Sequence, residues 1–483
     1  MCLQATRIFC LGLAVLLAPA IRAESGFHAG PIFDEYDLTL DAGHRTEALG
    51  PFFFDQQRDS EKTWGVPPLF SWDADPAVEA SEFDLLYPLL TYKRFGTEYR
   101  WQFVQVLSFA GGQSQDEQSA KRFTIFPVYF QQRSTDPARN YTAIFPFYGR
   151  IKNRLFRDDI RFVLFPIYLE TRKRDVVTDN YLYPIFHVRR GDGLHGWQCW
   201  PLAGSEHKDV TLRTNGFGDT EIIGGHDRAF ALWPICFHQN NNLGTDNPEE
   251  FHAIFPFYNY SRSPQRDATT VLWPLFTWID DRNKKYREWE GPWPLVVVAR
   301  GEGKTTTRFW PLFSRSHNDT LTSDFYLWPI YKYNRLHTEV LDRERTRILF
   351  YLFVNVTEKN IDTGAERGRV DFWPLFTWHR DFNGNRRLQI LAPVEPMLPN
   401  YRGIERNWSP LWSLWRSEAN PRTGATSQSL LWNLYRRDAA PAAKKCSLLF
   451  GLFQYQSDAA MKKIRLFYIP VLKRHVSAER SGQ

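Results

Sequence analysis

The sequence predicts an all-β fold, an antiparallel meander of about 20 or more strands built from repeats of about 19 residues and closed as a large barrel-like or stacked β body. Three observations carry this. An aliphatic–aromatic–Pro–aliphatic–aromatic core recurs along most of the 483 residues, as at Leu164–Tyr168 (LFPIY). Polar turn segments such as RRGDG (Arg189–Gly193) and DFNGN (Asp381–Asn385) separate the copies. Phe 38, Tyr 21 and Trp 18 against Met 3 favour strands over helices.

Residues 1–23 differ from the rest. Arg7 precedes an apolar run, Ile8 to Ala20, and Ala23 closes a cleavage-like site, which is the layout of a secretory signal peptide. The run is short for a membrane-spanning helix. The predicted product is an exported protein of the periplasm, cell surface or outer membrane.

Residues 24–470 read as one continuous repeat domain. The clearest copies centre on Pro127, Pro146, Pro166, Pro184, Pro234, Pro256, Pro274, Pro311, Pro329 and Pro374. Copies are missing near Leu107 and near Phe217. Variable spacing suits hairpin loops better than the fixed perimeter of a stacked solenoid. With one strand per repeat and proline at its centre, each strand lacks a ladder donor at the same level, which predicts a crease across the sheet. Centred this way, both faces of the strand are apolar. The sheet must then fill its own interior, stack in layers or face lipid. Residues 471–483 read as a polar tail without the terminal aromatic of bacterial membrane barrels.

Lys and Arg number 60 against 54 Asp and Glu, a formal +6 spread along the turns, so no nucleic-acid patch is expected. Outer-membrane lipid or other envelope components are the expected partners, and no cofactor is expected. Cys199 and Cys236 lie in apolar cores, read as small buried hydrophobes with a disulfide as the alternative. The Trp–Pro pairs (Trp233, Trp273, Trp310, Trp328, Trp373) read as core. GEGKTTTR (Gly301–Arg308) lacks phosphate-loop spacing, and DRERTR (Asp342–Arg347) reads as a solvated turn.

The repeat is interrupted from Leu202 to Phe230, where His207, Asp209, Asp219, Glu221, His226 and Asp227 gather, with His195 just before. Such residues could hold a metal or act on a glycan if they converged, but HExxH, paired CxxC and GxSxG spacings are absent. The sequence therefore favours a non-catalytic envelope scaffold. An outer-membrane barrel with a channel or transport role and a glycan-acting enzyme are the alternatives.

Overall fold

The computed structural model describes residues 32–113, 119–214, 216, 218–399 and 401–475. Residues 1–23, read above as a signal peptide, and positions 476–483 lie outside the described residues. Positions 471–475 belong to the strand Ile469–His475.

Among the described residues forty-three strands form one antiparallel sheet, and a two-stranded hairpin stands apart from it. The strands are short: four residues in Asp34–Asp37 and eight in Cys236–Leu243, with six the usual length. Each 19-residue unit holds two strands, not one. After Arg157–Val163 the chain turns at Pro166, runs back as Tyr168–Lys173, turns at Arg174–Asp175 and returns as Val176–Tyr181. All connections through proline cores therefore lie at one edge of the sheet, and the polar turns lie at the other.

This overturns the central-proline reading. Pro127, Pro146, Pro166, Pro184, Pro234, Pro256, Pro274, Pro311, Pro329 and Pro374 all follow cis peptide bonds in the turns. Leu164 to Ile167 is representative: Leu164 is left-handed (φ 45°), and the Ile167 amide donates to the Leu164 carbonyl at 2.8 Å, the form of a type VI turn. Among the described residues no crease of missing donors crosses the sheet, because these ten prolines sit where the ladder ends. Near Leu107 the repeat persists as a proline-free turn, Val104 to Val106, between Glu98–Phe103 and Leu107–Gln113.

Alternation along the strands gives two unlike faces. One carries Arg45, Glu47, Gln56, Thr63, Asp73, Asp84 and Thr91 and, far along the sheet, Ser314, Ser316, Arg345, Arg369 and Arg436. Many of these small or charged residues are buried, including Ser71, Asp84 and Asp371 at 0 % exposure, as expected of the crowded concave side of a curved sheet. The concave face is thus mostly polar, and its apolar residues include the cluster of Phe130, Tyr141, Ala143, Ile151, Ile160 and Phe162 and, further along, Val297, Ala299, Phe325 and Val354. The accessible surface of 29978 Å² far exceeds the roughly 19,000 Å² of a compact chain this size, which fits a largely single-layered sheet.

The ribbon returns on itself through side chains. No pairing joins Asp34–Asp37 to Ile469–His475 among the described residues. Instead, concave faces of early and late strands meet. The Arg436 guanidinium lies 3.2 Å from the Tyr36 ring centroid, and the Asn433 amide donates to Glu47 at 2.8 Å. Two short helices, α1 (Arg402–Asn407) and α2 (Ser409–Trp412), replace one apolar turn and complete the seam. Arg406 pairs with Asp84 and, at 3.3 Å, with Asp73; Asn407 donates to Asp84 at 3.0 Å, and Trp408 to the Tyr87 carbonyl at 3.1 Å.

Candidate lipid-facing rim and the histidine cluster

The proline-bearing turns form a continuous apolar rim. At their tips Phe126, Phe147, Leu164, Ile167, Leu182, Leu232, Phe257, Trp273 and Leu327 are all exposed by about half or more, as is Phe350 in a proline-free turn of the same edge. The Trp–Pro tryptophans, read from sequence as core, include Trp233, Trp273, Trp328 and Trp373 on this exposed rim. Aromatics preceding the prolines contact those of adjacent turns: Phe145 to Phe165 at 5.1 Å, Phe165 to Tyr183 at 5.7 Å, Trp200 to Trp233 at 5.6 Å and Trp310 to Trp328 at 6.0 Å. Soluble monomers rarely expose an apolar surface larger than a few hundred Å².

The rim also hides its backbone. In the turn at Pro166, proline offers no N–H, Leu164 and Phe165 donate to carbonyls of the preceding turn, and Ile167 donates to Leu164. The Ile167 and Pro166 carbonyls accept from Leu182 and Tyr183 of the following turn, each at 2.7 Å. The same stitch recurs as Trp273 to Pro256 at 2.6 Å and Trp328 to Pro311 at 2.7 Å. Proline at the tip thus removes a donor that would otherwise face outward, and the neighbours take up the rest.

The apolar layer is shallow. On the convex face the first residues below a tip are apolar, such as Val163 and Tyr168, while the next, Arg161 and Glu170, form an ion pair at 3.8 Å. The turn and its adjoining residues span roughly 10 Å at about 3.4 Å per residue. The opposite rim is mostly polar, though Val78, Phe95, Leu155, Phe156 and Val340 are exposed on it.

The sequence cluster divides among three places. His195, His207, Asp209 and Asp227 come together at the polar end of the convex face. His207 sits opposite both His195 and Asp227 in the ladder. Its Nδ1 bonds the Asp227 carboxylate, its Nε2 lies 3.2 Å from Asp209, and its ring centre is 4.9 Å from that of His195. The hydrogen bonds to Asp227 and then Asp209 hold the His207 imidazolium above the ordinary histidine range. His226 faces the other way and bonds Glu206 at 2.7 Å; burial outweighs this bond and lowers its proton affinity. Asp219 and Glu221 ride on the separate hairpin Thr211–Thr214/Thr220–Ile223, an excursion from the polar rim that accounts for the interruption. Phe217 itself lies outside the described residues. Among the described residues no group of three or more His, Cys, Asp or Glu is placed to hold a metal.

Cys199 and Cys236 occupy one row of the convex face with Ala203 and Ala231 between them. Two intervening strands separate them by roughly 14 Å, beyond disulfide reach. Both are free thiols. GEGKTTTR makes a strand-to-strand turn, and its Lys304 pairs with Glu288 at 2.5 Å.

Sequence reasoning missed the cations of the concave face. DRERTR lies inside the strand Leu341–Ile348, not in a turn. Its alternation sends Asp342 and Glu344 to the convex face, where they flank Arg335, and Arg343, Arg345 and Arg347 to the concave one. The period of two was the available signal.

No protein-family model matches the sequence, and no curated protein matches it either.

Proposed function

We propose that this is a non-catalytic cell-envelope protein that rests on one leaflet of a membrane through its rim of apolar turns, holding a polar concave scaffold against the bilayer surface. The observation that carries the reading is the rim's combination of exposed apolar tips with a backbone whose donors are satisfied by neighbouring turns. Water does not require such satisfaction, whereas a hydrocarbon environment does. The row of tips runs along the ribbon instead of forming a patch of interface size, and its Trp and Tyr content suits a membrane interface.

Depth separates this reading from a spanning barrel. A membrane-crossing strand needs about 9–11 residues. Six-residue strands with an apolar belt of roughly 10 Å fit the 5–10 Å burial of proteins that lie in the interface. The leader-like segment 1–23 supports export of the chain to an envelope membrane.

Flotation of the purified chain with phosphatidylcholine vesicles tests the proposal, with tryptophan fluorescence quenched by brominated lipids to read depth. Co-flotation that resists alkaline extraction is expected, with quenching strongest for bromine placed high on the acyl chain. A chain that stays with the soluble fraction and self-associates through its rim would refute membrane binding. Quenching that is strongest at the bilayer centre would refute the one-leaflet depth.

A further inference from the structure

We propose that the concave face carries a binding site for the phosphate-bearing headgroup of an anionic lipid, built from Arg308, Lys332, Arg345 and Arg347 directly beneath the rim. The proposal rests on the one-leaflet reading and adds to it a ligand class and a location. Arg308, Ser314, Phe325, Lys332, Arg347 and Val354 form one cross-strand row. Lys332 and Arg347 are direct ladder partners, and like charges so placed repel. One step below, Arg345 pairs with Asn334 on one side and Val356 on the other.

Two nearby acids are already engaged, and Glu290, on the same row beyond Val297 from Arg308, is pushed above the usual carboxylate range by burial and then by Glu288. Asp371 is held by Arg369 and, at 2.6 Å, by Thr377; Glu358 is shared by Arg343 and Arg367. No carboxylate lies within 4.0 Å of Arg308, Lys332, Arg345 or Arg347 among the described residues. The Nε of Arg308 is buried without a hydrogen-bond partner. Burial, followed by neighbouring arginines, lowers the proton affinity of Lys332 and of Arg345. A polyvalent anion would relieve this repulsion and accept charge-assisted hydrogen bonds from the guanidinium groups.

The register with the rim identifies the anion as part of an amphiphile. The turns that join these strands contribute Trp310, Trp328 and Phe350, with ring centres 6.0 Å apart for the first pair and 5.5 Å for the second. Arg347 lies 5.8 Å from the ring centroid of Tyr351 in the same rim turn. Acyl chains would run along this aromatic ladder at the depth of the tips, placing a phosphate one step toward water, at the level of the cations. A free phosphate would make no use of the ladder.

The test compares the full-length wild type with K332Q/R345Q/R347Q, using vesicles of phosphatidylcholine alone or mixed with phosphatidic acid. The glutamines remove charge and repulsion while keeping polar side chains, and unchanged circular dichroism establishes that the variant folds. At about one Lys/Arg increment per charge, the wild type should prefer anionic vesicles and the variant should bind them roughly 100-fold more weakly. Binding of both proteins to phosphatidylcholine should be equal. A variant that keeps the full anionic preference, or a wild type without one, overturns the site while leaving the rim intact. Loss of flotation with every vesicle overturns the rim and this site together. Inorganic phosphate that abolishes the anionic preference at low millimolar concentration would identify a free-phosphate site and overturn the lipid assignment.

Discussion

Replacing Arg406 by alanine tests whether the seam between early and late strands holds the ribbon closed. In the intact protein Asp84 is fully buried and receives the Arg406 guanidinium and the Asn407 amide; Asp73 lies 3.3 Å from the same guanidinium. The arginine side chain is 9 % exposed, so little solvent screening weakens the arrangement. Removing one partner of a buried ion pair costs about 3–5 kcal/mol, which shifts an opening equilibrium by roughly a hundredfold to several thousandfold. Because each hairpin contacts mainly its neighbours, the loss should appear as local opening of the seam. Hydrogen exchange read by mass spectrometry measures it: segments 71–87 and 402–412 should exchange faster by that factor, while 129–163, around the Phe130–Phe162 cluster, should not change. Burial already raises Asp84 above the usual carboxylate range, and loss of the cation raises it further. Protonation then relieves the unpaired charge, so the difference between variant and wild type should shrink as pH falls from 8 to 5. Unchanged exchange at 71–87, or an effect indifferent to pH, would refute the reasoning.

Two other titrations follow from the geometry. Burial, with the Glu61 carboxylate beside it, holds Asp73 up to about 6. Its folded value lies above its unfolded one, so its protonation strengthens the seam as pH falls through about 6, and its charged form weakens the seam at neutral pH. D73N should therefore flatten the pH dependence of seam exchange between pH 7 and 5; a dependence identical to wild type would count against the assignment. For His207 the folded value is also raised, so its stabilising contribution is present below the ordinary histidine range and fades as pH rises through the raised value. Proton NMR of the imidazole should show a midpoint that D227N moves back down, and a midpoint indifferent to D227N would dispose of the Asp227 contribution.

The repeat made the β-meander legible, because aromatic-rich segments alternate with Gly-, Asn- and Asp-rich turns throughout. Strand number and face chemistry were less accessible. A core such as Leu164–Tyr168 looks like the middle of a buried strand, yet its proline marks a reversal, and the polar segments to either side are themselves strands. Placing the centre half a repeat away turns an apolar interior into a polar concave face and an apolar strand into an exposed rim. The histidine cluster was half legible: sequence proximity found His195, His207, Asp209 and Asp227, but alternation separates His226 from Asp227 onto opposite faces. The seam was illegible in sequence, since Arg406 and Asp84 are 322 positions apart and follow no local pattern.

Closure through side chains instead of a backbone ladder leaves the circumference free to change. A hydrogen-bonded barrel fixes strand number and stagger together, so adding a strand alters the tilt of all the others. Here each hairpin supplies its own turn at both edges and joins its neighbours by the same stitch. Duplication of one 19-residue unit would lengthen the ribbon by about 10 Å, two strand spacings, without asking any other hairpin to adapt. Only the few residues around Arg406, Asp84, Arg436 and Tyr36 need to find their partners again. The size of the enclosure is thus open to gene-level tuning in single-hairpin steps, with the rim growing in proportion.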